Sequence, residues 1–169
     1  MSKAEILSVE ELLKLDLVIP SYQRPYKWTE KNIRELILDI QKGIEDAKKY
    51  PNFKYRVGTV ILYQENDTKP YEIVDGQQRI LSFLLLKLCL NPDFTCSLLS
   101  ATFSDKVTLG NLHSNSDRIR EWCSSVDDGV KEAFDKAISE VLEVVVLTVN
   151  ELSEAFQLFD SQNTRGREL

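Results

Sequence analysis

An α+β fold follows from three features of this sequence. Val57 to Tyr63 and Glu143 to Val149 are β-branched, apolar runs of strand length. Ile33, Leu36, Ile37, Ile40 and Ile44 recur at helical spacing, which buries one face of a helix. Ile80 to Leu90 is apolar almost all round, the pattern of a helix at the centre of a fold. Strands and helices mixed in this way within 169 residues predict α+β architecture. With no repeat, low-complexity tract or Pro/Gly/Ser linker, residues 1–169 read as one domain.

Each element has its own local signal. Ser8 with Glu11 makes a capping-box pattern for a short helix through Leu15. Leu15 to Ile19 alternates like a strand, and Pro20 stops it. Thr29 caps the second helix, and Gly43 and Pro51 limit its far end. Val57 to Tyr63, the turn Glu65 to Pro70 and Tyr71 to Val74 form a hairpin whose second strand runs directly into Asp75-Gly76. A helix follows from Gln77 to about Leu90. Phe94 to Asn115 is ambiguous, with Cys96 to Leu99 and Ala101 to Phe103 as short candidate strands of a further hairpin. Ser116 to Val126 and Asp128 to Ala137 read as helices, and the acidic pairs Glu10-Glu11 and Asp127-Asp128 as helix starts. Asn150 caps a last helix carrying Leu152, Ala155, Phe156 and Phe159, which Asn163 to Gly166 ends in a left-handed turn.

Composition narrows the function. An apolar content of 43% is enough for a core and excludes a mainly disordered chain. A net charge of −6 argues against a globally basic nucleic-acid binder. Segments 19–28, 74–80 and 156–169 run the other way. They hold Arg24, Lys27, Arg79, Arg165 and Arg167 against Asp75, Asp160 and Glu168, so five minus three gives +2 and leaves −8 elsewhere. A locally positive pocket in an acidic body suits a small anion. Cys89, Cys96 and Cys123 are odd in number and form no CxxC, so reduced thiols are expected, with Cys89 a small hydrophobe. The N-terminus lacks a signal-peptide apolar region, and Ile80 to Leu90, interrupted by Lys87, is too short to span a bilayer. A cytoplasmic location is the expectation. No Walker-A pattern is present, so an ordinary P-loop is excluded. His113 is the only histidine and falls in a polar stretch read as a loop, Asn111 to Ser116. A His-rich metal site or a Ser-His-Asp triad would have to use it.

The chemistry concentrates in three segments. Asp75-Gly76-Gln77-Gln78-Arg79 sits where a strand enters a helix. In one reading Asp75 merely caps the helix and Gly76 relieves backbone strain. In the other, free N–H groups and the helix dipole hold phosphate, Gly76 lets its oxygens approach, and Arg79 neutralises charge. Gln77, Gln78 or Gln23 then positions water, and Asp75 holds Mg²⁺ directly or through water. Tyr22-Gln23-Arg24-Pro25-Tyr26-Lys27-Trp28 packs three rings and two cations into seven residues. It suits a nucleobase and its phosphates, or else a loop anchored by its rings, with Trp28 the expected core residue and Arg24 the expected ligand. Asn163-Thr164-Arg165-Gly166 either ends a helix or brings Asn163 and Arg165 to the same pocket.

In this order, the three segments resemble the N-terminal domain of the GmrSD family of modification-dependent restriction systems. That family carries a Pro-x-Tyr-Gln-Arg-x-Tyr-x-Trp stretch, matched at Pro20, Tyr22, Gln23, Arg24, Tyr26 and Trp28. Its Asp-Gly-Gln-Gln-Arg turn is matched from Asp75 to Arg79, and its distal Asn-Thr-x-Gly loop at Asn163, Thr164 and Gly166. The resemblance spans roughly residues 17–169, and 91–140 carry no signature. It implies a ParB/sulfiredoxin-like fold, a small mixed sheet with packed helices, that binds and hydrolyses nucleoside triphosphate in defence against foreign DNA. Mg²⁺ is expected with the nucleotide, without a dedicated metal cage. The implied catalytic residues are Asp75, Gln78, Arg79 and Gln23. The implied nucleotide-binding residues are Tyr22, Arg24, Tyr26, Gly76, Gln77, Asn163, Arg165 and Gly166. Relatives continue past the last loop, whereas this chain stops three residues after Gly166. A truncated or shortened domain is the expectation, with any nuclease in a domain or subunit outside this chain and DNA as a further partner. Two alternatives use the same residues: a non-catalytic module recognising DNA or a modified base, and a regulatory interaction domain.

Overall fold

The structure is a computed structural model that describes residues 2–168, with side chains for 2–162. In chain order the elements are β1 (Lys3–Ser8), α1 (Val9–Lys14), β2 (Leu17–Val18), α2 (Glu30–Lys49), β3 (Tyr55–Tyr63), β4 (Tyr71–Asp75), α3 (Gln77–Leu90), α4 (Lys106–Ser125), α5 (Asp128–Glu140), β5 (Leu142–Val149) and α6 (Leu152–Glu168). The five strands form one mixed sheet in the order β1-β5-β3-β4-β2. The β1–β5 and β3–β4 pairs are antiparallel, whereas β5–β3 and β4–β2 are parallel.

Strand alternation divides the core in two. Val60, Leu62, Ile73, Val144 and Val146 face one side, where α1 to α5 pack with Phe83, Ile33 and Phe134. Ile61, Val74 and Val149 face the other, where α6 packs through Ala155, Leu152 and Phe159. Helix α3 is central, as its sequence predicts: Ile80, Leu81, Phe83, Leu84 and Leu86 are buried, and Leu85 and Leu88 half-buried. Its one fully buried charge is Lys87, whose side chain is 3% exposed. It meets Glu10 of α1 at 2.5 Å and Asp135 of α5 at 2.6 Å. Two carboxylates from two other helices thus make a buried ammonium tolerable.

Several elements depart from the sequence reading. β1 carries too weak an apolar signal to read as a strand. It is an edge strand with exposed Lys3, Ala4 and Ile6, held by pairing along β5. The stretch Leu15 to Ile19 contributes only a two-residue strand, because Leu15 N–H turns back to Leu12 O. The Ser8–Glu11 capping box forms as expected, with both reciprocal bonds. Gly43 does not end α2 but lies buried within it, facing Tyr55. One helical glycine costs about 1 kcal/mol, which a 20-residue amphipathic helix outweighs. The candidate hairpin at 96–103 is absent. Ser97–Ser100 is a 3₁₀ turn, and α4 begins at Lys106 because Asp105 caps it, accepting from Thr108 N–H at 2.9 Å. His113 therefore lies on a helix, with its side chain 80% exposed. Helix α6 continues to Glu168, through the positions where a left-handed end was expected. Among the described residues, no helix is long and apolar enough to cross a membrane.

Candidate functional site: a strapped cleft at the head of helix α3

Strand β4 delivers Asp75 to the turn, and Gly76 begins α3. Gly76 has φ +106°, and a β-carbon there would stand 2.9 Å from Val60 Cγ2. Both facts require glycine. No side chain caps the helix, and Ile80 N–H, donating to Gly76 O at 2.9 Å, makes its first internal bond. The N–H groups of Gln77, Gln78 and Arg79 therefore have no partner inside the helix.

The segment from Tyr22 to Trp28 is strapped across this turn, although fifty residues separate the two in sequence. Gln23 Nε2 donates to Ile73 O at 2.6 Å and to Val74 O at 2.8 Å. Gln77 Nε2 donates to Arg24 O at 3.1 Å, and Gln78 Nε2 to Pro25 O at 3.1 Å. Gln78 Oε1 accepts from Lys27 N–H at 2.7 Å and Trp28 N–H at 3.1 Å. Tyr26 anchors the strap in the core and is fully buried. Its hydroxyl meets Ser82 Oγ at 2.7 Å and accepts from Asn115 Nδ2 at 2.8 Å. Its backbone is bonded to Thr108 and Asn111. Tyr26, expected at the ligand, is instead a core residue, while Trp28 packs half-buried against the core as expected and also lines the cleft.

Between strap, turn and α6 lies a cleft of about 420 Å³. Tyr22, Arg24, Lys27, Trp28, Asp75, Gly76, Gln77 and Gln78 line it, together with Phe156 and Phe159. Tyr22 and Phe156 meet edge to face, with ring centroids 5.5 Å apart, and the Arg24 guanidinium lies 5.5 Å from the Phe159 ring centre. Burial pushes the Asp75 carboxyl up from its ordinary value, against the opposing pull of the Gly76 N–H, Arg79 and Arg24. Burial, reinforced by Glu72 and Tyr63, pushes the Tyr22 phenol up to about 12. On the far side of residues 23–25 lies a second hollow of about 540 Å³, walled by 17–21 and 100–105. Gln77, 5% exposed, lines both, and its Oε1 is buried without a hydrogen-bond partner.

Arg79 does not line the cleft. Its side chain enters a hollow of about 190 Å³ between α2 and β3, with Trp28, Glu35, Asp39 and Tyr55. The guanidinium lies over Gly58, where the β3–β5 register shifts and φ is +145°. A β-carbon at Gly58 would collide with Arg79 Nη1 and stand 3.0 Å from Cζ. Burial lowers the Arg79 pKa, against the pull of Asp75, Asp39 and Tyr55. Among the described residues no carboxylate comes within ion-pair distance of it.

Seven of the expected site residues therefore share one cleft: Tyr22, Gln23, Arg24, Asp75, Gly76, Gln77 and Gln78. Tyr26 is withdrawn into the core, and Arg79 lies behind the turn. Asn163, Arg165 and Gly166 fall outside the residues whose side chains are described. Among the described residues, no group of three or more His, Cys, Asp or Glu is placed to hold a metal ion. Three contributors escaped sequence reasoning. Gly58 had a usable signal, since glycine inside a strand marks a bulge or a close approach. Phe156 and Phe159 had none, because in sequence they are two apolar residues of an amphipathic helix.

Residues 5–169 match the family described as GmrSD restriction endonuclease, N-terminal domain. A comparison with curated proteins gives no match.

Proposed function

We propose, because the chain belongs to the GmrSD restriction endonuclease N-terminal-domain family, that its cleft binds a nucleoside triphosphate as the magnesium complex and hydrolyses it. The observation that carries this reading is the strapping: six side-chain hydrogen bonds fasten Tyr22–Trp28 over an uncapped, glycine-headed helix N-terminus. That arrangement places Arg24 and Lys27 beside free backbone N–H groups. Phosphate oxygens accept from the first turn of α3, and the two cations offset charge developing on the transferred phosphoryl group. A ParB/sulfiredoxin-like fold belongs to the same reading, and the mixed sheet with helices crowded on one face supports it.

The residue roles shift from those the sequence alone suggests. Gln23 and Gln78 brace the strap by bonds to backbone. Gln77 also donates to backbone, and its unpartnered Oε1 is buried. Gln78 alone is thus tied at both amide atoms, while Gln23 and Gln77 each keep an unbonded oxygen for the attacking water. Among the described residues, Asp75 is the one acid lining the cleft. A single carboxylate fits an Mg²⁺ that arrives on the triphosphate and keeps its waters, rather than a protein cage. The ion supplies charge neutralisation when bound. Arg79 acts from beneath the turn as a positioning residue, favouring the ionised form of Asp75.

A thermal-shift series with ATP, GTP, CTP and UTP, with and without Mg²⁺, tests the reading. At least one triphosphate should raise the melting temperature, more so with Mg²⁺, and release phosphate on incubation. No shift with any of them would defeat it. The exposed rings at the cleft also suit a base of single-stranded DNA. Salt-sensitive DNA affinity without nucleotide turnover would favour that second reading.

A further inference from the structure

We propose that helix α6 supplies the wall that holds the nucleobase, with the base stacked in the cleft on Phe156 and bordered by Tyr22 while the triphosphate runs to the head of α3. This rests on the nucleotide reading above and adds to it a place for the base. Helix α6 packs on the sheet through Leu152, Ala155, Leu158 and Phe159. Phe156 takes no part in that packing and is 41% exposed, yet it lines the cleft. A large apolar ring left in water at a concave site is a ring left for a ligand. Tyr22, 42% exposed, meets it edge to face at an interplanar angle of 71°. Phe159 is already occupied by the Arg24 guanidinium, so that cation is held at the boundary between wall and turn.

The cleft therefore has two ends of different chemistry. One end is aromatic. The other is the uncapped start of α3, beside Gln77, a polar side chain 5% exposed whose Oε1 lacks a partner. A ligand with a flat apolar head and an anionic tail matches both at once, whereas a bare phosphate matches one. A stacked base contributes enough to change affinity by roughly tenfold or more.

Calorimetric titration of the full chain with MgATP and with magnesium tripolyphosphate tests this, using wild type, Phe156→Ala and Phe156→Trp. Wild type should bind MgATP at least roughly tenfold more tightly than tripolyphosphate. Phe156→Ala should remove most of that advantage while leaving tripolyphosphate affinity in place, because the ring lies outside the core. Phe156→Trp should restore the advantage, and its indole fluorescence should fall on adding MgATP. An unchanged advantage in Phe156→Ala, or an equal weakening of both ligands, would overturn the base wall. Equal binding of the two ligands by wild type would overturn it too, while leaving a phosphate site standing. If wild type binds neither, the nucleotide reading fails and the wall falls with it.

Discussion

Helix α3 carries two cations inward, eight residues apart, and the protein treats them in opposite ways. Lys87 is matched by two carboxylates, at 2.5 and 2.6 Å, and by the Phe94 ring at 5.4 Å from its centre. Burial alone would lower its pKa, but the hydrogen bonds it donates to Asp135 and Glu10 carry it above the ordinary lysine value. Arg79 has no such partners among the described residues, and burial leaves its pKa lowered. The fold nevertheless makes room for it by keeping Gly58 without a side chain. A cation whose charge is fully matched ties helices together. A cation held half-buried without a direct partner is coupled through space to Asp75, and in the proposed function to the anion at the turn.

The largest effect expected is on stability at the first of these sites. Lys87→Ala should cost about 3 kcal/mol in urea unfolding, towards the low end for a broken buried ion pair because Glu10 and Asp135 keep some solvent. Lys87→Met, which fills the same space, should recover part of it. A loss below about 1 kcal/mol would erase the contrast with Arg79. Gly58→Ala comes next. It forces a side chain onto a left-handed backbone and into the Arg79 guanidinium, for about 1–3 kcal/mol. It should also lower turnover, since Arg79 must move. Normal turnover in that variant would mean that the position of Arg79 is immaterial.

The smallest effect distinguishes the two sites by the sign of their pH dependence. Glu10 has a lowered pKa, chiefly through its hydrogen bond to Lys87. Its contribution is full above the ordinary carboxylate value and is lost as pH falls through the lower folded value. Asp75 has a raised pKa, chiefly through burial. Its contribution is the reverse, present below the ordinary value and lost as pH rises through the folded one. Asp75→Asn should therefore raise the melting temperature modestly at neutral pH, by a few degrees at most, with the gain vanishing in acid. A destabilised Asp75→Asn at pH 7 would show that the carboxylate is structural rather than held at a cost for function.

What was legible in the sequence follows the range of the forces involved. Period and capping are local, so α2, α3, α5, the β3–β4 hairpin, β5 and the Ser8–Glu11 box could be read directly. β1 could not, because its strand character comes from pairing along β5, more than 130 residues away. The strap's destination was legible only as chemistry: rings, amides and arginine were visible, but which amides bind backbone was not. Gln78 shows this most plainly, since its three hydrogen bonds run to residues about fifty positions earlier. The displacement of Arg79 was hidden for the same reason. It depends on Gly58 and on a register shift in a strand that adjoins the turn only in three dimensions.

Phosphate release from MgATP by Arg79→Ala, measured beside its melting temperature, tests the central contrast most directly. Turnover should fall several-fold, the effect of removing a cation that acts on Asp75 and the turn through space rather than by a direct hydrogen bond. The melting temperature should stay within a few degrees of wild type, because Arg79 gives up no ion pair. Unchanged turnover, or a collapse in stability like that expected of Lys87→Ala, would contradict the assignment of Arg79 to function and return the turn to a purely structural role.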